Sequence, residues 1–239
     1  MKAYRKPGPI NIFLDLDGTI LDVSKRYYNV HNDLMKSLKL TPMKRNEYLQ
    51  SKRNKIPERD LVGSKDPRTI ERYLTRRSRL IESRRYLRLD EPFSGVLKTL
   101  AKIGDENHLI LVTLRKSRRN LKEQLKKLEI ASFFDQIPTF RGRSCKEGGI
   151  CKAKLIKNYC AQSDLPSIVV GDTEDDLEAA KSLGLKAVAV SNGLREKRLL
   201  LQQNPDYIID NVTKLPSVIT HIKKDLGLIA CARYNRHSP

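Results

Sequence analysis

Two aspartates, Asp15 and Asp17, stand two residues apart at the end of the apolar run NIFLDLDGTI. Two more, Asp172 and Asp176, follow another apolar run in VVGDTEDD, Thr113 ends LILVT, and Lys152 lies in CKAKLI. Carboxylates in such places can hold a hard cation through oxygen, attack an electrophile or carry a proton. A hydroxyl and an ammonium add a hydrogen-bond donor and a positive charge for an anion. Any one of these residues alone is weak evidence, since aspartates also cap strands and turns. In an open parallel α/β sheet, however, ligands bind beyond the carboxyl ends of the strands. The question is whether these polar ends share one edge.

The elements that must position them follow from period and punctuation. Residues 10–15 are apolar and bounded by Pro9 and Gly18, which predicts a strand entering a sharp turn. Tyr27, Val30, Leu34 and Leu38 recur at helical spacing. Thr41-Pro42 predicts a second helix running toward Lys55, and Asp66-Pro67 a third, long and basic, reaching Leu87. No strand interrupts this stretch, so it reads as an all-helical insertion. Beyond Pro92 helices and strands alternate: helix 95–103, strand HLILVT, helix 121–128, a weak strand at 136–140 and the loop RGRSCKEGG. Helix 150–161, strand SIVVG, helix 175–183 and strands KAVAV and YIID complete the series. Such alternation predicts an α/β fold, a doubly wound parallel sheet covered on both faces.

Composition narrows the class. The chain has 239 residues, 47 Lys+Arg against 28 Asp+Glu, and a net charge of +19, more than half of it between Ser24 and Asp90. That balance favours polyanions, phosphorylated substrates or acidic partners, and equally suits a solvated basic helical surface. No apolar run approaches the roughly 20 residues of a membrane span. Residues 1–9 lead into a strand ending in aspartates rather than a cleavable apolar segment, so no signal peptide is read and a cytoplasmic location is expected. Cys145, Cys151, Cys160 and Cys231 form no CxxC pair and read as free thiols. The four histidines are scattered, which leaves a zinc site without a local signature.

The ordered motifs resemble the haloacid dehalogenase superfamily of phosphohydrolases, in particular its phosphoglycolate-phosphatase-like members. DLDGT, Asp15 to Thr19, matches the first motif, LILVT the second, Lys152 the third, and Gly171-Asp172 with Asp176 the fourth. Lys154 stands beside Lys152 as an alternative. The resemblance implies a Rossmann-like core of residues 1–22 and 92–239 with an inserted helical cap of the C1 type, residues 23–91. It implies that Asp15 is the nucleophile and Asp17 the general acid and base. Thr113, Lys152 and Gly18 would then bind the phosphoryl group. Asp15, Asp172, Asp176 and the backbone carbonyl of Asp17 would hold Mg²⁺, which an oxygen-only donor set suits. Asp175 reads as charging the start of a helix. Leu114-Arg115 departs from the small or amide residue often seen after this Thr, and Arg115 could meet substrate or point into solvent.

The expected function is therefore a Mg²⁺-dependent phosphatase acting on a small phosphorylated metabolite through an aspartyl-phosphate. A phosphomutase shares the same core motifs. The alternative is a nucleic-acid or polyanion-binding protein on this scaffold, or a phosphatase of nucleotides or nucleic-acid ends. Its motivation is charge alone, for no nucleic-acid motif or aromatic stacking platform is present. No membrane partner is expected, and the sequence carries no signal for oligomeric state.

Overall fold

Period-two apolar runs make the sheet, and which side each residue faces decides what covers it. The structure, a computed structural model, describes residues 8–138 and 147–228. Strands β1 (Asn11–Leu14), β4 (His108–Leu111), β5 (Ser167–Gly171), β6 (Lys186–Val190) and β7 (Tyr207–Ile209) form one sheet in the order β4-β1-β5-β6-β7. Every pairing is parallel, with Leu14 opposite both Leu111 and Val170, so the carboxyl ends lie along a single edge.

The chain runs from β1 to β4 on one side and then crosses to β5 on the other, which puts the topological switch at β1. Ile12, Leu14, Val170 and Val188 face a core that includes residues of α5 (Val96–Gly104), α6 (Arg118–Lys127) and α10 (Leu215–Asp225). Phe13, Val169 and Ala189 face the opposite core, with α7 (Gly148–Cys160), α8 (Glu174–Ser182) and Leu200 of α9 (Lys197–Leu201). Burying alternate side chains on opposite faces is the stable solution for such a sheet, and the doubly wound α/β expectation is met.

The insertion leaves and returns through a two-strand neck, β2 (Leu21–Asp22) antiparallel to β3 (Glu91–Pro92). Between them α1 (Ser24–Ser37), α2 (Arg45–Arg53), α3 (Pro67–Leu80) and α4 (Arg84–Leu87) enclose their own core, with Val30, Leu34, Met35, Val62, Tyr73 and Tyr86 buried. Asp66 caps α3 as predicted, accepting from the amides of Arg68 (3.2 Å) and Thr69 (3.1 Å), with Pro67 opening the helix.

Two helix boundaries differ from expectation. The second helix starts at Arg45 rather than after Thr41, because the preceding segment is held against α1. The Met43 amide donates to His31 Nε2 (3.4 Å), and its carbonyl accepts from Tyr28 Oη (3.3 Å). The third helix stops at Leu80, where the next residues are clamped to neighbours. Ile81 O accepts from Arg26, and Glu82 accepts from the amides of Lys116 and Ser117.

Of the weak strand at 136–140, the described part makes a single bridge, Gln136 to Ile110, and Thr139 and Phe140 lie outside the described residues, as does most of the glycine loop. Cys160 is a free thiol, whereas Cys151 is disulfide-bonded, against the free-thiol expectation; a bonded pair need not have CxxC spacing. Among the described residues no helix is long and apolar enough to cross a membrane.

Candidate active site

Parallel strands with a shared edge bring the polar ends together at the switch point. Asp15 follows β1 directly, its amide donating to Val170 O (3.0 Å). Asp172 follows β5, and Asp176 sits in the first turn of α8. One carboxylate oxygen from each of Asp15, Asp172 and Asp176 lies within 4.8 Å of the others, and all three residues are buried. Lys152, on α7 and equally buried, donates to Asp15 Oδ1 at 2.6 Å and also to Asp176 Oδ1. Lys154 is exposed.

Supporting contacts fix each carboxylate. Asp172 accepts from Thr19 Oγ1 (3.0 Å) and from the Leu194 amide (2.6 Å). Asp176 closes a capping box with Thr173, accepting from its amide (3.2 Å) and hydroxyl (2.8 Å). Glycines make room for this packing. A Cβ on Gly18, whose φ is +91°, would lie 2.1 Å from Asp172 Oδ2; one on Gly193 would lie 2.2 Å from the same atom and 2.4 Å from Gly18 O.

Three buried carboxylates against one ammonium are electrostatically incomplete. Burial raises the Asp15 carboxyl well above its usual range, with Asp176 and Asp172 adding to the rise against the opposing effect of Lys152. Burial and Asp176 push Asp172 up to about 7. Lys152 moves upward, because the pull of Asp15 and Asp176 outweighs the desolvation that would lower it. A close-set, oxygen-only group short of positive charge fits a hard divalent cation such as Mg²⁺.

Asp17 behaves differently: its carboxylate is not one of the three. It accepts from Arg26 Nη2 (2.7 Å) and Arg115 Nε (3.1 Å), and Arg115 Nη2 reaches its second oxygen. Burial alone would raise its pKa, yet Arg115 and Arg26 hold the group well below the usual carboxylate range. Asp90, just before β3, joins both cations from behind, at 2.9 Å from Arg26 Nε and 3.2 Å from Arg115 Nη2, and accepts from Gln124 Nε2 at 2.8 Å. Its carboxyl is pushed up to about 6, chiefly by burial.

Asp15, Asp17, Thr113 and Lys152 line one cavity of ≈ 230 Å³, with Tyr27 of α1 and Glu82 on the side of the insertion. Thr113 is 3% exposed, and its hydroxyl accepts from the Arg115 amide (3.4 Å). Gly18 lies in the adjoining cleft and its amide donates to Leu21 O (2.8 Å), so its contribution to the carboxylate cluster is space. The Asp175 carboxylate packs over Gly148 and stands outside the three-acid group. Arg115 turns inward to Asp17, Asp90 and Gln124 rather than to solvent.

Sequence reasoning did not single out Arg26, Asp90, Thr19 as a partner of Asp172, or Gly193. Arg26 is hidden among many surface basic residues, and only its place one turn into the first inserted helix distinguishes it.

The sequence matches the haloacid dehalogenase-like hydrolase family over residues 12–190. It is 23% identical to a phosphoglycolate phosphatase of Synechococcus elongatus, over 89% of this chain and 98% of that one. It is 22% identical to the pyrophosphatase PpaX of Bacillus mycoides, over 88% and 97% respectively. Among solved structures, a haloacid dehalogenase-like family hydrolase from Streptococcus pneumoniae superposes with a TM-score of 0.71 at 22% identity, covering 88% of this chain and 98% of the other. A HAD-superfamily hydrolase of subfamily IA from Geobacter sulfurreducens gives 0.67 at 16% identity, covering 92% and 100%.

Proposed function

The chain belongs to the haloacid dehalogenase-like hydrolases, and from that premise we propose that it is a Mg²⁺-dependent phosphatase of small phosphate monoesters. The observation that carries this reading is the buried convergence of Asp15, Asp172, Asp176 and Lys152 at one strand edge. Relatives named phosphoglycolate phosphatase and pyrophosphatase support the substrate class. A cavity of ≈ 230 Å³, below the size of drug-binding pockets, suits a small substrate.

In this proposal an Asp15 oxygen attacks phosphorus, the bond to the leaving oxygen breaks, and that oxygen takes a proton from Asp17, which the guanidiniums hold ionised in this arrangement and which takes up a proton from solvent only once those contacts open to substrate. Water, losing a proton to Asp17, then attacks phosphorus and breaks the bond to Asp15, releasing phosphate. Both Asp17 oxygens accept from guanidiniums here, so each proton transfer exchanges one of those contacts for substrate or water. Lys152 holds Asp15 oriented and shares the charge of the phosphoryl oxygens, and Thr113 donates to one of them. Asp15, Asp172 and Asp176 would hold Mg²⁺, which when bound offsets the mutual repulsion of phosphate and carboxylate. Residues 23–91 act as the cap over a core of 1–22 and 92–239, closing the site from water. The proposed setting is the cytoplasm.

The test is hydrolysis of an aryl phosphate with and without Mg²⁺ by the wild type and by Asp15→Asn. The expected outcome is a Mg²⁺-dependent rate that falls at least 10³-fold, by order of magnitude, in the variant. A robust rate in Asp15→Asn removes the proposed nucleophile.

A further inference from the structure

Inside the helical insertion, two helices, α2 and α3, converge on one carboxylate. Glu58 accepts from Lys52 Nζ at 2.6 Å, Arg77 Nη2 at 2.8 Å, Tyr48 Oη at 3.3 Å and Tyr73 Oη at 3.4 Å. Lys52 is the last charged residue but one of α2, and Arg77 belongs to the final turn of α3. Their side chains are only 15% and 16% exposed, and Glu58 is the sole acid paired with either among the described residues. His31, which touches Tyr73, is held neutral by burial and adds no negative charge. Two largely buried cations thus share one anion. The Arg77 Nε is buried without a hydrogen-bond partner, and Lys52 spends one of its three N–H groups on Glu58.

That surplus positive charge adjoins the active site. The Tyr27 ring centroid lies 5.8 Å from Lys52 Nζ and 5.4 Å from the Arg77 guanidinium. Tyr27 and Leu194 line both the cavity that holds Asp15 and a neighbouring cleft of ≈ 220 Å³ lined by Gly18 and Lys52. Arg53, in the same cleft, is committed to Glu196 (2.7 Å) and to the carbonyls of Ser191 and Gly193 (3.1 and 2.5 Å), which tie the insertion to the core. Lys52 is therefore the cleft cation with capacity to spare. A purely structural partner for Glu58 would need one cation, and Arg77 supplies it.

We propose that Lys52 sets substrate specificity by receiving a second anionic oxygen group, a carboxylate or a phosphate, on the part of the substrate remote from the scissile phosphorus. The preferred substrates are then small phosphate compounds with an anionic tail, reaching past Tyr27 from Asp15 to Lys52. A charge-assisted hydrogen bond in a partly dry cleft discriminates strongly against a neutral isostere, whose tail leaves the ammonium unpaired. This inference rests on the phosphatase reading above.

The experiment compares kcat/KM for phosphoglycolate, its neutral amide and pyrophosphate, in the wild type, Lys52→Met and Lys52→Arg. The wild type is expected to prefer the two anionic-tailed substrates over the amide on the order of tenfold or more, mostly through KM. Lys52→Met should remove that preference and Lys52→Arg should restore part of it. A wild type that treats acid and amide alike overturns the proposal, even if Lys52→Met does not fold, and so does a preference that survives in Lys52→Met. Inactivity of the wild type on all three and on aryl phosphate strikes instead at the phosphatase reading itself.

Discussion

Asp15 and Asp17 differ by two positions and by almost everything in their surroundings. The first faces an ammonium and two further carboxylates, the second two guanidiniums. Motif spacing made the pair conspicuous, but spacing says nothing about which partners the fold brings to each acid, and so Arg26, only nine residues from Asp17, and Asp90 went unread. Gly193 is another such residue, invisible in sequence because its meaning lies in an approach to Asp172 and Gly18 O. A methyl group there must displace backbone or a cluster carboxylate, neither of which has free space. Gly193→Ala is thus expected to lower kcat/KM on aryl phosphate on the order of tenfold or more and to lower the urea midpoint as well, since overpacking of this kind costs about 1–3 kcal/mol; unchanged kinetics would show that Asp172 tolerates displacement.

At the scale of elements, the strands and most helices were legible because their apolar periods are intact: Ile12 and Leu14 against Phe13 display the two sheet faces outright. The Asp66-Pro67 start was legible because cap chemistry is local. Thr41-Pro42 misled for the opposite reason, since His31 and Tyr28 capture Met43 from another helix. The closing helix α10, beyond the last strand, was not expected, although it buries Val218, Ile219 and Ile222 at helical spacing. His31 offers a measurement at this scale. It is fully buried, burial lowers its pKa to about 4, and its Nε2 accepts a hydrogen bond that an imidazolium could not. A base with a depressed folded pKa costs nothing above its unfolded value and destabilises the fold as pH falls from about 6.5 toward about 4, because the unfolded chain takes up the proton first. One histidine resonance is expected to stay neutral at pH 5 by NMR, while the raised Asp172 and Asp90 carboxyls act on stability in the opposite sense over the same range. A His31 signal that titrates near 6.5 would contradict this.

For the whole molecule, a net charge of +19 surrounds an acidic centre, and the two facts answer different questions. The positive field would draw anionic substrates inward, while the buried acids could hold a cation that the remainder of the chain would repel. Cation binding by the folded chain alone must raise its stability. At a hundredfold excess over Kd, the gain is about 2.7 kcal/mol, a rise of several degrees in Tm at this chain length. Mg²⁺ is expected to raise Tm in the wild type and to lose that effect in Asp172→Asn; an equal shift in both would place the ion elsewhere.

Covalent capture of phosphorus by one carboxylate is the step on which the proposed hydrolysis turns. Quenching the enzyme during turnover, reducing any acyl phosphate with borohydride and mapping the peptides by mass spectrometry tests this directly. Homoserine at position 15, absent without substrate, is the result predicted. Steady turnover with Asp15 unmodified, or modification at another aspartate, would contradict it.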